Sequence, residues 1–159
     1  MRPFLFGLLA LILPLSVLCQ DDICRISEYQ GYMCKKILVF ESRCSVPEID
    51  NLFNWKRLTP SKEDAENCDK ILNQFKQIFV TNICKQSNRT TFFGQLIGYS
   101  DENSSRIFVY QLIILSSRER IEKLFPSFNQ KFIVGFGGKY EEKTFLFKID
   151  IERKSISLL

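Results

Sequence analysis

The chain contains no histidine. That absence removes the serine–histidine–aspartate and cysteine–histidine mechanisms and the usual imidazole-bearing zinc sites. No C-x2-C pair occurs either, so an all-thiolate metal site lacks its ligand spacing. Cysteine is missing from residues 85–159, and that half must hold itself by its own core. Beyond the N-terminus no apolar run approaches the roughly 20 residues of a membrane span; "IFVYQLIIL", residues 107–115, reads as a buried strand. Clustered basic charge is also absent. The 22 Lys and Arg residues give a net charge of +4 but fall singly or in pairs such as Lys35-Lys36 and Lys56-Arg57. Nucleic-acid binding needs a clustered basic face, so no nucleic acid is expected as a partner. No catalytic residue, cofactor or metal is expected.

What is present begins with a leader. Met1-Arg2 supplies a positive start, residues 3–18 are an uncharged apolar run, and Val17 and Cys19 are small enough for the −3 and −1 positions of a cleavage site. Residues 1–19 therefore read as a secretory signal peptide with Gln20 as the mature start. A transmembrane anchor is the weaker reading, because the polar "QDD" follows at once. The sequons "NRT" at Asn88 and "NSS" at Asn103 fit a secreted glycoprotein. Cys24, Cys34, Cys44, Cys68 and Cys84 remain after cleavage, all disulfide candidates in an oxidising compartment. Their odd number leaves one thiol for burial or for a disulfide-linked dimer.

The mature chain, 20–159, is expected to form one α+β domain, Cys-bearing and mainly helical over 20–84 and a β-meander over 85–159. Residues 20–58 are the least legible; Ile37, Leu38 and Phe40 suit a helix or a short strand equally. From 59 the pattern is clearer. Thr59 is a candidate N-cap and Pro60 a first helical residue. Acidic residues at 63, 64 and 66 crowd the first turn. Ala65, Cys68, Leu72, Phe75, Phe79 and Ile83 then recur at steps of three and four, the apolar stripe of one long helix. Along such a helix Cys68 and Cys84 stand about 24 Å apart, too far for a disulfide. Each is expected to reach back to Cys24, Cys34 or Cys44 and staple the N-terminal segment onto the helix.

After Cys84, "TTFFGQLIGY" (90–99) and "RIFVYQLIIL" (106–115) read as a hairpin around the polar turn "SDENSS". The second strand is apolar on both faces and belongs in the middle of a sheet. Ser116 and Glu119 have capping-box spacing, with Ile121, Leu124 and Phe125 as a short apolar face and Pro126 as its stop. Strands are expected at 131–136, 143–151 and 155–159. In 143–151 Phe145, Phe147, Ile149 and Ile151 alternate with Lys148 and Asp150, one face buried and one wet. The fold class predicted is a disulfide-stapled N-terminal segment and long helix packed on a four- to five-stranded antiparallel sheet.

Gly135, Gly137, Gly138 and Lys139 invite a phosphate-loop reading, but Tyr140 stands where Ser or Thr is needed and a strand pattern follows in place of a helix. "GGKYEE" suits a hairpin turn instead. The carboxylates Glu41, Glu48, Asp50, Glu63, Asp64, Glu66, Glu141 and Glu142 are expected to be solvated. Fifteen Phe and five Tyr suit core packing or the lining of an apolar pocket. Trp55 reads as a plug beneath the disulfides. The layout over 59–159, a long helix and then a meander, resembles cystatin-like and nuclear-transport-factor-2-like folds. "QLIG" (95–98) is one residue short of the cystatin inhibitory pattern Gln-x-Val-x-Gly, so the likeness implies layout without inhibition.

The function expected is that of a secreted, N-glycosylated, non-enzymatic binding protein acting on an extracellular protein. The alternatives are a carrier of a small apolar ligand between helix and sheet and, less favoured, a carboxylate-based hydrolase.

Overall fold

The computed structural model describes residues 24–83, 90–116, 118–134 and 143–159, with the backbone alone described over 77–83. The leader 1–19, Cys84, Asn88 and the glycine loop 135–142 lie outside the described residues. In chain order the elements are β1 (Ile26–Tyr29), β2 (Lys36–Phe40), α1 (Pro47–Asp50), β3 (Lys56–Leu58), α2 (Lys62–Ile83), β4 (Thr90–Ser100), β5 (Arg106–Ser116), α3 (Ile121–Leu124), β6 (Thr144–Asp150) and β7 (Ser155–Leu158).

The strands form one seven-stranded sheet, larger than the four or five strands expected. Its order is β1-β2-β4-β5-β6-β7, with β3 beside β4. The hairpin β4–β5 is its spine, paired antiparallel from Thr90↔Ser116 to Ser100↔Arg106. β5 lies centrally, between β4 and β6, as its apolar run implies. One pairing is parallel, β2 with β4 in the register Lys36↔Phe93 to Val39↔Leu96. A parallel pair needs a long crossover. Here α2, 22 residues and thus about 33 Å long, returns the chain to the end where β2 began. The region 20–84 has more helix than strand, but it also contributes three strands to the sheet. "KILVF" is buried on its way through the sheet and shows no alternation, which is why its period was uninformative.

Both faces of the sheet are covered. On one, Ala65, Cys68, Ile71 and Leu72 of α2 pack on Ile37, Val39, Leu96, Phe108, Tyr110 and Leu112. The stripe is as predicted as far as Phe75; the side chains of Phe79 and Ile83 lie outside the described residues. On the other face Val46, Ile49, Ile121, Phe125, Phe128 and Phe132 pack on Leu38, Phe93, Ile97, Val109 and Ile113. Residues 131–134, expected as a strand, carry no strand pairing; Phe132 and Ile133 are spent on this face instead.

The helix start also moves. Ser61 and Asp64 bond reciprocally, Ser61 N–H to Asp64 Oδ2 at 2.7 Å and Asp64 N–H to Ser61 Oγ at 3.1 Å. Ser61, not Thr59, thus closes the N-terminus as a capping box. The second box forms its bonds too: Ser116 N–H and hydroxyl donate to Glu119 at 2.9 and 3.0 Å. It shapes the turn before α3, whose own N-cap is Arg120. Asp150, expected on the wet face, is buried, and accepts the Arg153 N–H at 2.9 Å to tie the β6–β7 turn.

A single amide ties down the loop layer. Gln95, fully buried in the middle of β4, donates from Nε2 to the Phe128 and Lys131 carbonyls at 2.7 and 2.8 Å. Its Oε1 accepts the Ile133 N–H at 2.8 Å. A segment without regular pairing thereby satisfies its backbone against one side chain. Gln95→Leu leaves three backbone groups without this partner, two of them buried at about 1–3 kcal/mol each. Urea unfolding should show a loss of at least about 2 kcal/mol, whereas the exposed Gln74→Leu should stay within about 0.5 kcal/mol of the parent.

Candidate functional site

Three places gather polar side chains. The first lies between α2 and the N-terminal strands. Among the described residues the expected staple from helix to N-terminal segment is not a disulfide. Cys24 pairs with Cys44, Cα atoms 4.5 Å apart, while Cys34 and Cys68 are buried free thiols. The β1–β2 hairpin dictates this: its register ends at Ile26↔Phe40, and Glu41 N–H bonds Arg25 O, which brings Cys24 and Cys44 together. The pairing expected for Cys84 lies outside the described residues.

Asp69 performs the tethering. Its fully buried carboxylate accepts the Met33 N–H at 2.6 Å and the Cys34 N–H at 3.2 Å. Gly31 is required there, since a Cβ would strike the same carboxylate. Gly94 answers a second close approach. The Tyr110 ring crosses β4 over it, and its hydroxyl donates to Cys34 Sγ at 3.3 Å. Burial, then the Asp69 charge, pushes the Cys34 thiol up; burial, then Asp64 and Asp69, does the same for Cys68. Both are thus kept as inert thiols.

The second place is the end of the sheet that carries the β4–β5 turn. Asp50 Oδ1 accepts the Tyr99 hydroxyl at 2.8 Å and Arg57 Nη1 at 3.1 Å, and Oδ2 accepts the Val46 N–H at 2.8 Å. Arg57 also donates to the Cys44 and Glu41 carbonyls at 2.8 and 3.2 Å, and lies over the Tyr99 ring. Burial, then the bond to Asp50, holds the Tyr99 phenol well above its usual range. Trp55 stacks on Phe53 at 4.6 Å with Lys148 on its ring, and packs towards Tyr99. It is half-buried in this aromatic cluster, against the core that also holds Cys44. Nearby, Asp64 is buried and carries Arg106 besides Ser61, so it is not the solvated acid expected.

The third place is a groove of about 450 Å³ at the opposite end, lined by Glu28, Lys35, Lys36, Glu119, Arg120 and Glu122 over Phe93 and Ile121. Its carboxylates are already engaged in part: Glu28 with Lys36 at 2.9 Å, Glu119 with Lys143. Burial pushes the Glu119 carboxyl up, but Lys143 and the Ser116 N–H and hydroxyl outweigh it, and the carboxyl sits below its ordinary value. A glycosidase acid needs the reverse shift.

Among the sequons, Asn103 stands exposed in the tight β4–β5 turn, its N–H held by Asp101 Oδ1 at 2.9 Å. Among the described residues no three metal-ligating side chains converge, and no helix is long and apolar enough to cross a membrane. Sequence reasoning missed Gln95, Asp69 and the Asp50–Arg57–Tyr99 set. Only the glutamine and tyrosine inside apolar strand runs signalled that partners would be needed.

Compared with protein-family models, curated proteins and solved structures, the chain matches none. The cystatin-like or nuclear-transport-factor-2-like layout expected from the sequence has no counterpart among the matches, and the parallel β2–β4 pair departs from a purely antiparallel meander.

Two measurements check this chemistry. A thiol reagent should leave Cys34 and Cys68 unlabelled in the folded protein and label both in denaturant. A phenol with a raised folded pKa gives stability that is complete below pH about 10 and lost as pH climbs towards the folded value. Stability should therefore fall at alkaline pH. Tyr99→Phe should make that fall shallower, and in the parent the Tyr99 and Tyr110 phenolate absorbance should appear only with unfolding.

Proposed function

We propose that this chain is a secreted, N-glycosylated binding protein that acts on an extracellular protein partner and performs no catalysis. One observation carries the reading: the buried polar side chains Asp64, Asp69 and Gln95, and the half-buried Asp50, are consumed in holding backbone or neighbouring side chains. None is left poised as acid, base or nucleophile. The buried thiols point the same way, because burial raises their pKa and removes nucleophilic character. The Cys24–Cys44 disulfide suits an oxidising compartment, and the exposed turn at Asn103 suits a glycan. The apolar-ligand alternative draws no comparable support. Both sheet faces are filled by side chains, and the larger described groove is lined by charge.

Intact mass of the secreted protein under native conditions tests this. The expected mass begins at Gln20, falls on deglycosylation, and includes no small molecule that leaves on denaturation. A co-purifying apolar molecule would turn the reading to the carrier; an unglycosylated chain that retains residues 1–19 would remove secretion.

A further inference from the structure

Paired basic residues occur three times in the chain, at Lys35-Lys36, Lys56-Arg57 and Arg153-Lys154. Such pairs suit serine endoproteases whose two adjoining acidic pockets each seat one cation by charge-assisted hydrogen bonds. The fold separates the three. Lys36 lies in β2, between β1 and β4, with its side chain 24% exposed and paired to Glu28. The neighbouring Lys35 N–H is bonded to Phe92 O at 2.9 Å. Lys56 and Arg57 lie in β3, and the Arg57 side chain, 13% exposed, is spent on Asp50 and on the Cys44 and Glu41 carbonyls. Neither pair can enter a protease without dismantling the sheet or the cluster around Asp50.

Arg153-Lys154 stands differently. Both residues are exposed in the turn between β6 and β7, Arg153 with 75% of its side chain in solvent. Lys154 has φ 47°, the left-handed region that a residue with a Cβ occupies at a cost. The small Ser155 follows it.

A protease takes its substrate extended, so the turn must open, and little opposes that. Arg153 N–H is bonded to Asp150 Oδ1 at 2.9 Å and Lys154 N–H to Ile151 O at 3.3 Å. Downstream, β7 pairs with β6 alone among the described strands. Of its side chains Ile156 is half-buried, while Ser155, Ser157 and Leu158 are exposed. A segment with so little buried apolar surface opens locally without unfolding the rest, and opening frees Lys154 from its positive φ.

We propose that Arg153-Lys154 is a processing site, cut after Lys154 by a dibasic-specific serine endoprotease on the secretory route. The Lys154–Ser155 peptide bond is hydrolysed. Water gives its hydroxyl to the Lys154 carbonyl carbon and a proton to the Ser155 nitrogen, leaving a carboxylate and an ammonium group. The β7 strand then keeps its ladder to β6 and the packing of Ile156 but loses its covalent tie. The site rests on the secreted reading for its protease and on the exposed, strained turn for its selectivity.

Mass spectrometry of the full chain, treated with a purified dibasic-specific subtilisin-type endoprotease, tests this. The native chain should be cut after Lys154 and left whole at Lys35-Lys36 and Lys56-Arg57; the urea-unfolded chain should be cut at all three pairs. Lys154→Gln and Arg153→Gln each remove one charged contact and should slow the native cut at least about tenfold, with an unchanged circular dichroism spectrum. Chain collected from the medium of secreting cells should lack residues 155–159, and the two variants should retain them. Equal cutting at either other pair in the native chain, a native turn that resists an enzyme able to cut it unfolded, or a cut that survives both variants would each overturn the proposal. So would wild-type chain that leaves the cell with residues 155–159 in place. Retention of residues 1–19 would instead count against secretion, and the cut by purified enzyme would still decide the site.

Discussion

The three hydrogen bonds of Gln95 are the interaction on which the loop layer depends. A sheet buried on both faces needs two covers, and this chain has one long helix to offer. Residues 125–134 make the second cover without regular pairing, so their backbone groups need partners from elsewhere. Gln95 provides them from the middle of β4, where it is fully buried. The apolar anchors Phe125, Phe128 and Phe132 supply the burial; the amide supplies the register.

The helix side follows the same rule with a carboxylate in place of an amide. Asp69 collects the Met33 and Cys34 N–H groups and sets the N-terminal strands against α2. At the far end Asp50 joins Val46, Arg57 and Tyr99. Each group is costly to bury alone and worthwhile only when its partners are in place. The disulfide is a local clasp of the β1–β2 hairpin and does not reach the helix. A fold that commits its interior polar groups in this way presents its surface and edges to partners, and this underlies the binding reading.

How much of this was legible depended on period and on partner. The stripe of α2 is periodic and local, and as far as Phe75 it is where the sequence puts it; β6 forms where expected, but its second face is covered too, with Asp150 buried. β5 was placed centrally for a sound reason, since a strand with apolar residues on both faces needs cover on both. β2 has the same character in five residues, too short to tell from a helix, so the parallel pairing and the larger sheet were hidden. Cysteine spacing along α2 excluded a Cys68–Cys84 bond but could not see the hairpin that joins Cys24 to Cys44. Asp50 and Asp64 resembled surface acids because their partners lie in other elements; Arg106 is 42 positions away from Asp64, and Tyr99 is 49 from Asp50.

Native-state amide hydrogen exchange tests most directly whether buried side chains, and not regular pairing, hold the covering segments. The N–H groups of Ile133, Met33 and Cys34 lie outside the strands, each bonded to a Gln95 or Asp69 side-chain oxygen. They should exchange as slowly as the β4–β5 ladder, opening only with global unfolding. Exchange at the rate of exposed turns, such as the one at Asn103, would contradict the account.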